Sequence, residues 1–318
     1  MYLINFIISN LILLVLTLII VLISVAYLTL FERKILSSIH YRKGPNKVGF
    51  IGLMQPFSDA LKLISKEYFY PVKSNYYYYF ISPMLMFFLI MSLWLLYPFY
   101  NNLLSWYLSG LYLLSIMSMG VYGLMISGWS SNSSFSMIGA IRAIAQSISY
   151  EVIFSICMLL CFFFIDSLNM YFLKNMQKYI YNLFFFWPSS LIMMISMLAE
   201  INRTPFDLVE GESELVSGFN VEYSSGGFIL IFLSEYSSIL FMMFLFNLMY
   251  LNSNLWGIMF YINLVILVYF VIWIRLTLPR IRYDFLMIYC WFMFLPMILI
   301  LFMYMIFFLK VPFIFILF

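Results

Sequence analysis

The sequence predicts an all-α membrane protein of about eight transmembrane helices, with an amphipathic interfacial helix in the first long loop. Three observations carry this reading. Hydrophobic residues make up 65% of the 318-residue chain and charged residues 9%, whereas soluble domains run near half apolar and a quarter charged. The uncharged runs hold about eight segments of the ~20 residues that cross a hydrocarbon core. If the loops after spans 1, 3, 5 and 7 share one side, they collect all the basic residues except Lys174, Lys178 and Lys310, out of 16. That asymmetry is what the positive-inside rule predicts.

In chain order, the expected spans are 5–31, 79–99, 108–127, 147–165, 180–200, 227–250, 257–275 and 286–309, in one polytopic domain. The N-terminus has no basic leader region, so the first apolar run is expected to persist as a helix. Breaks fall near Pro98–Asn102 and Asn252–Asn254. An even number of spans places both termini on one side. In the first loop, residues 52–70 alternate apolar and polar side chains at roughly helical spacing.

The three cysteines, Cys157, Cys161 and Cys290, lie in apolar runs. Cys157 and Cys161 share a helical face, but no further ligands lie nearby, and the one histidine, His40, is distant in sequence. No ligand set for haem, an iron–sulfur cluster, zinc or another metal emerges. Any redox chemistry must be borrowed from partners.

The chemistry-bearing stretch is AEINRTPFDLVEGESELVSGFNVEY, residues 199–223. It holds six of the 13 acidic residues: Glu200, Asp207, Glu210, Glu212, Glu214 and Glu222. Glu235 follows inside the next span. Desolvation and like-charge repulsion favour the protonated form of clustered carboxylates beside membrane, and such sites titrate as a group. A solvated acidic loop is the plain alternative, although the stretch is rich in Phe, Leu and Val. In Glu210-Gly211-Glu212-Ser213-Glu214 an extended chain sets three carboxylates on one side, whereas a helix separates Glu212 from the other two.

Two further stretches carry charge. The first loop reads FERK (31–34) and then YRKGPNKVG (41–49). Its cations read as a site for anionic lipid headgroups or as partners for the acids of later loops. Asp59, Lys62, Lys66 and Glu67 then fall near one face of the interfacial helix. In SGWSSNSSFSMIGAIRAIAQSISYE (127–151), small residues allow tight packing, and Glu151 enters a span at a cost of roughly 2.5–3.5 kcal/mol. An intramembrane acid is a functional candidate by default; a structural pair with Arg142 is the alternative. Glu151, Glu200, Asp207, the 210–214 group, Glu222 and Glu235 are expected to descend from surface to mid-membrane.

Together FERK…RKGPNKVG…QPFSDALKLISKE, SGWSSN…GAIRAIAQSISYE, AEINRTPFDLVEGESELVSGFNVEYS and WIRLTLPRIRYD (273–284) resemble the subunit 1 family of mitochondrial respiratory NADH:ubiquinone oxidoreductase (complex I). The resemblance covers nearly the whole chain. It implies an eight-helix subunit of the inner mitochondrial membrane with matrix-facing charged loops, forming the membrane part of a ubiquinone tunnel. By resemblance, Glu32, Arg33, Arg42, Asp59, Lys62, Lys66, Phe219 and Arg275 line or support that tunnel and its mouth. Glu151, Glu200, Asp207, Glu210, Glu212, Glu214, Glu222 and Glu235 form an acidic path that couples quinone reduction to proton translocation, with Arg142, Arg203 and Arg280 as counter-charges. Ubiquinone is then a substrate, flavin and iron–sulfur clusters belong to partner subunits, and this chain holds no complete active site. Its partners are other subunits of the complex and membrane lipids, with no role for nucleic acid. His40 departs from the family, which commonly has Gln there. The alternatives are a stand-alone proton-coupled ion transporter and the equivalent subunit of a membrane-bound hydrogenase. No internal repeat supports the transporter.

Overall fold

The computed structural model describes residues 2–99, 106–177, 181–207, 222–252, 254–255 and 257–307. Every regular element among them is helical. The first helix, α1, spans Tyr2–Ile39. The short helix α2 spans Gln55–Ile64, with Pro56 in its first turn, where a missing N–H costs nothing. Then come α3 (Tyr76–Leu93), α4 (Ser109–Ser130) and α5 (Ser134–Ile165). They are followed by α6 (Trp187–Glu200), α7 (Ser225–Leu251), α8 (Ile258–Thr277) and α9 (Tyr283–Met305). Seven helices of the described residues, all but α2 and α6, are long and apolar enough to cross a membrane.

The expected span 180–200 takes a different form. It divides into a single turn, Asn182–Phe185, and the 14-residue α6. Pro188 marks the break: its ring fits the first turn of a helix but would clash inside one. Two other helices run well beyond their expected spans. Helix α1 continues through Phe31-Glu32-Arg33-Lys34 to Ile39, and α5 begins at Ser134 and carries Arg142 on its first turns. Their charged ends are helical extensions of the spans.

Helix α2 ends at Ile64, so Lys66 and Glu67 lie beyond it and share no helical face with Asp59 and Lys62. The chain after it serves another purpose. The Phe69 N–H donates to Ser224 Oγ at 2.9 Å, and that hydroxyl donates to the Phe69 carbonyl at 2.8 Å. The pair clips this segment to the start of α7. Helix α2 itself packs on α1 and α7, leaving Phe57, Leu61 and Ile64 exposed along one side.

The central packing is α3 on α4, α4 on α5, α5 on α6 and α7 on α3. Close approach of α4 to α5 depends on Gly128, because a Cβ there would meet that of Ala140 at 2.2 Å. Helix α9 contains a π turn, Tyr289–Phe294, just before Leu295-Pro296. A wider turn there spares the Pro296 ring its clash with the preceding carbonyl. The three cysteines are buried free thiols.

Candidate functional site

The site grows from two adjacent residues of α1. Val21, Val25, Leu28, Glu32 and Ile35 recur at helical spacing and are all buried, so Glu32 sits on the face that α1 presents to α7 and α8. Arg33 lies about 100° further round the helix and points outward. A carboxylate placed among Val, Leu and Ile needs partners for both oxygens. It has them. Arg275, on the last turn of α8, pairs with Glu32 Oε1, and the Tyr236 hydroxyl of α7 donates to Oε2 at 2.6 Å. Glu32, Arg275, Leu28, Arg203 and the aliphatic side chains of α7 and α8 enclose a small cavity of about 20 Å³.

A second cavity, of about 110 Å³, lies between α3, α4, α7 and the end of α6. Its body is apolar: Met86, Leu89, Ile116, Met117 and Phe241 among others. Its polar end is formed by Glu200, Asn202, Arg203, Ser234, Glu235 and Ser238. Glu235 and Ser238 are three residues apart on α7 and so share a face, whereas Tyr236 and Ile239 turn toward α1 and α8. One helix thereby serves both cavities. By volume the larger holds several water molecules and the smaller one.

Local sequence explains how Arg203 reaches both. Helix α6 ends at Glu200, and Asn202 takes the left-handed conformation (φ 56°) that Asn tolerates better than most residues. The chain reverses there. Gln146 of α5 fixes the reversal, donating through Nε2 to the carbonyls of Ala199 and Phe206, both at 2.9 Å. Arg203 is thus directed into the interior, where its guanidinium lies 4.6 Å from the centre of the Tyr236 ring. It lines both cavities. Glu200 Oε2 is buried and accepts no hydrogen bond among the described residues.

The remaining expected residues separate into groups. Asp207 is buried and meets Arg280 at 3.4 Å, brought near by the bond from the Ile281 N–H to the Pro205 carbonyl. Glu151 is half-buried on α5 and lines neither cavity; Arg142, also half-buried, precedes it by nine residues on the same helix. Glu222 is positioned through its backbone: its carbonyl accepts from the Tyr79 hydroxyl, and Tyr79 stacks on Tyr223 at 4.3 Å. Burial raises the Tyr223 phenol above its ordinary range, so it stays protonated at 2.8 Å from Ser82 Oγ. Glu210, Glu212, Glu214 and Phe219 lie outside the described residues.

The first-loop cations do not all follow expectation. Arg33 pairs at 2.5 Å with Asp59 of its own loop rather than with a later acid, because α2 folds back on the outward face of α1. Arg42, Lys62 and Lys66 are exposed. Residues that sequence reasoning missed include Tyr236, Gln146 and Gly120. Tyr236 adjoins Glu235, and Gln146 lies within the AIRAIAQSISYE stretch, but neither pattern betrays a buried polar contact.

The chain is a polytopic helical membrane protein in which, among the described residues, buried carboxylates, guanidinium groups and a phenol gather around two cavities. The comparisons with known proteins make the class specific. The NADH dehydrogenase family matches residues 12–306. The chain is similar to the NADH-ubiquinone oxidoreductase chain 1 of Aedes aegypti, at 53% identity over 277 residues, covering 87% of this chain and 88% of that one. It is 46% identical over 297 residues to the same-named chain of Apis mellifera ligustica, covering 92% and 95%. For Balaenoptera physalus the figures are 44% over 293 residues, with 90% and 92% covered. The chain belongs to the NADH dehydrogenase family.

Proposed function

We propose that the chain, as a membrane subunit of NADH:ubiquinone oxidoreductase in the inner mitochondrial membrane, forms the membrane part of a ubiquinone passage beside Glu32 and Arg275 and an acidic path leading away from it. The single observation that carries this reading is the position of Arg203, which walls both the Glu32–Arg275 cavity and the Glu200–Glu235 cavity. A charge arising at one side is felt at the other across one guanidinium, in surroundings where Coulomb interactions are strong.

Ubiquinone takes up two electrons and two protons to become ubiquinol. Flavin and iron–sulfur clusters of partner subunits supply the electrons. The present chain supplies no redox group; its residues bind, orient and move protons. Exposed Phe57, Leu61 and Ile64 on α2 lie beside α1 and α7 and offer an apolar doorway for the isoprenoid tail. Arg33, Arg42, Lys62 and Lys66 surround that doorway on the matrix side. When reduction leaves negative charge in the passage, the neighbouring carboxylates take up protons, and Glu200, Glu235, Asp207, Glu151, Glu222 and the 210–214 group redistribute them. Arg203, Arg280 and Arg142 are the counter-charges. The chain works with other subunits of the complex and with membrane lipids.

Family membership removes the main ground for a stand-alone transporter, which needs no partner. The test is photo-crosslinking of native membranes with an azido-ubiquinone, followed by mapping of labelled peptides. The expected result is label in 32–70 or 200–235 that a quinone-site inhibitor displaces. Label confined to other regions or to partner subunits would move the quinone site elsewhere and leave this chain with the acids alone.

A further inference from the structure

Tyr236 belongs to none of the charged motifs, yet it touches both halves of the site. Its hydroxyl donates to Glu32 Oε2 at 2.6 Å while Arg275 holds the other oxygen. Its ring face carries the Arg203 guanidinium at 4.6 Å. The ring is braced by Phe232, one turn earlier on α7, tilted 46° to it with ring centres 4.6 Å apart. Tyr236 is itself buried. Two attachments of different chemistry thus converge on one side chain: a hydrogen bond to an anion and a cation–π contact to a cation.

From this geometry we infer that Tyr236 is the positioning residue that ties Arg203 to the state of Glu32, so that the partition between the two cavities responds to charge in the smaller one. The inference rests on the proposed ubiquinone passage beside Glu32 and Arg275 and on the acidic path at the larger cavity. While Glu32 is ionised, Arg275 and the Tyr236 hydroxyl hold it, the phenol ring is fixed in one rotamer, and its face keeps Arg203 between the cavities. A change in charge beside Glu32 weakens the hydroxyl contact, frees the ring about its side-chain torsion, and releases Arg203 toward Glu200 and Glu235, which line the larger cavity with it. The phenol transfers no proton in this scheme. It transmits position.

The two attachments can be removed in steps. Tyr236→Phe keeps the ring and the cation–π contact and loses the hydroxyl. Tyr236→Leu loses both. Phe232→Leu removes the brace and leaves the two attachments, and so reports on packing alone. The variants are compared in the assembled complex in inner-membrane vesicles, measuring kcat and KM for a short-chain ubiquinone and protons translocated per NADH oxidised. Tyr236→Phe, which cuts the tie to Glu32 and keeps the ring under Arg203, is expected to lower the proton ratio by about half, with KM kept. Tyr236→Leu is expected to lower the proton ratio by half or more while electron transfer continues. Phe232→Leu is expected to leave the ratio unchanged.

A wild-type ratio in assembled Tyr236→Phe or in assembled Tyr236→Leu overturns the inference. Glu235→Gln keeps its failure distinct from that of the parent reading. If Glu235→Gln impairs coupled turnover and Tyr236→Leu does not, the acidic path stands without Tyr236 as its link. Unimpaired coupling in both, with the complex assembled, removes the path itself. Should Tyr236→Leu fail to assemble, Tyr236→Met restores side-chain volume without an aromatic face, and the same ratio decides.

Discussion

Glu32 and Arg33 are neighbours in sequence and belong to ion pairs of the same chemistry in two different solvents. The Arg33–Asp59 pair lies at 2.5 Å with side chains 47% and 33% exposed. The Glu32–Arg275 pair joins a carboxylate only 7% exposed to a guanidinium 39% exposed. One residue of helical rotation separates a contact that water screens from one that the protein must satisfy by itself. The surface pair fastens a short helix to the outside of the molecule. The buried one fixes a charge at the meeting point of α1, α7 and α8, where loss of either partner leaves the other stranded.

This contrast predicts its largest effect for Arg275→Ala. Removing one member of a buried pair costs about 3–5 kcal/mol, and the partial exposure of Arg275 brings the expected loss to ~2–4 kcal/mol. The amount of assembled complex on native gels and its thermal midpoint should both fall. Glu32→Gln should be milder than Arg275→Ala, because the neutral amide still accepts from Tyr236 and leaves no bare anion. An Arg275→Ala complex as stable as wild type would show that the Glu32 carboxyl is neutral there, and burial would no longer separate the two pairs.

A medium effect tests whether the buried network acts through its cavity. Gly120 lines the larger cavity, and a Cβ there meets nothing within 4 Å. Gly120→Ala should therefore be silent, whereas Gly120→Leu pushes a branched side chain into the space beside Glu200 and Glu235. Proton-coupled turnover in Gly120→Leu should drop by about three- to tenfold, the range of coupling changes produced by substitutions that touch no ligand. Assembly should be kept, since the added atoms enter open space. Equal coupling in the Ala and Leu variants would mean that the cavity carries no part of the traffic.

The helical membrane class of the chain was legible in its sequence, and the interior of the site was not. Hydropathy marked the apolar segments, because it is a property of composition over many residues. The helices outrun the spans that charge delimits: α1 runs on past Glu32 and Arg33, and α5 begins well before the apolar part of its sequence. A backbone satisfied by its own hydrogen bonds need not stop where the membrane does. The sequence leaves Arg33 to lipid headgroups or to later acids, because nothing in it shows that α2 folds back onto α1. Tyr236 was invisible for another reason. In a chain with 26 tyrosines and 36 phenylalanines, an aromatic residue in an apolar run reads as packing, and only the fold brings its hydroxyl to a carboxylate 204 positions away.

The smallest effect belongs to the surface pair, and it is the sharpest check on the role of burial. Arg33→Gln should cost ~0–1 kcal/mol, as exposed pairs do. The loop has other moorings: Lys34 Nζ donates to the Ile51 carbonyl at 2.9 Å, and Gln55 Nε2 donates to Asp59 Oδ1 at 2.9 Å. The effect should also fade with salt, since screening acts over about 8 Å at physiological ionic strength. Thermal midpoints of the complex carrying Arg33→Gln, compared at low and high salt, measure this directly. The Arg275→Ala deficit should persist at both, because ions do not reach the carboxylate among Leu28, Val268 and Ile272. If both deficits shrink alike with salt, the α1–α7–α8 junction is open to solvent ions, and one residue of helical rotation does not separate two dielectric environments.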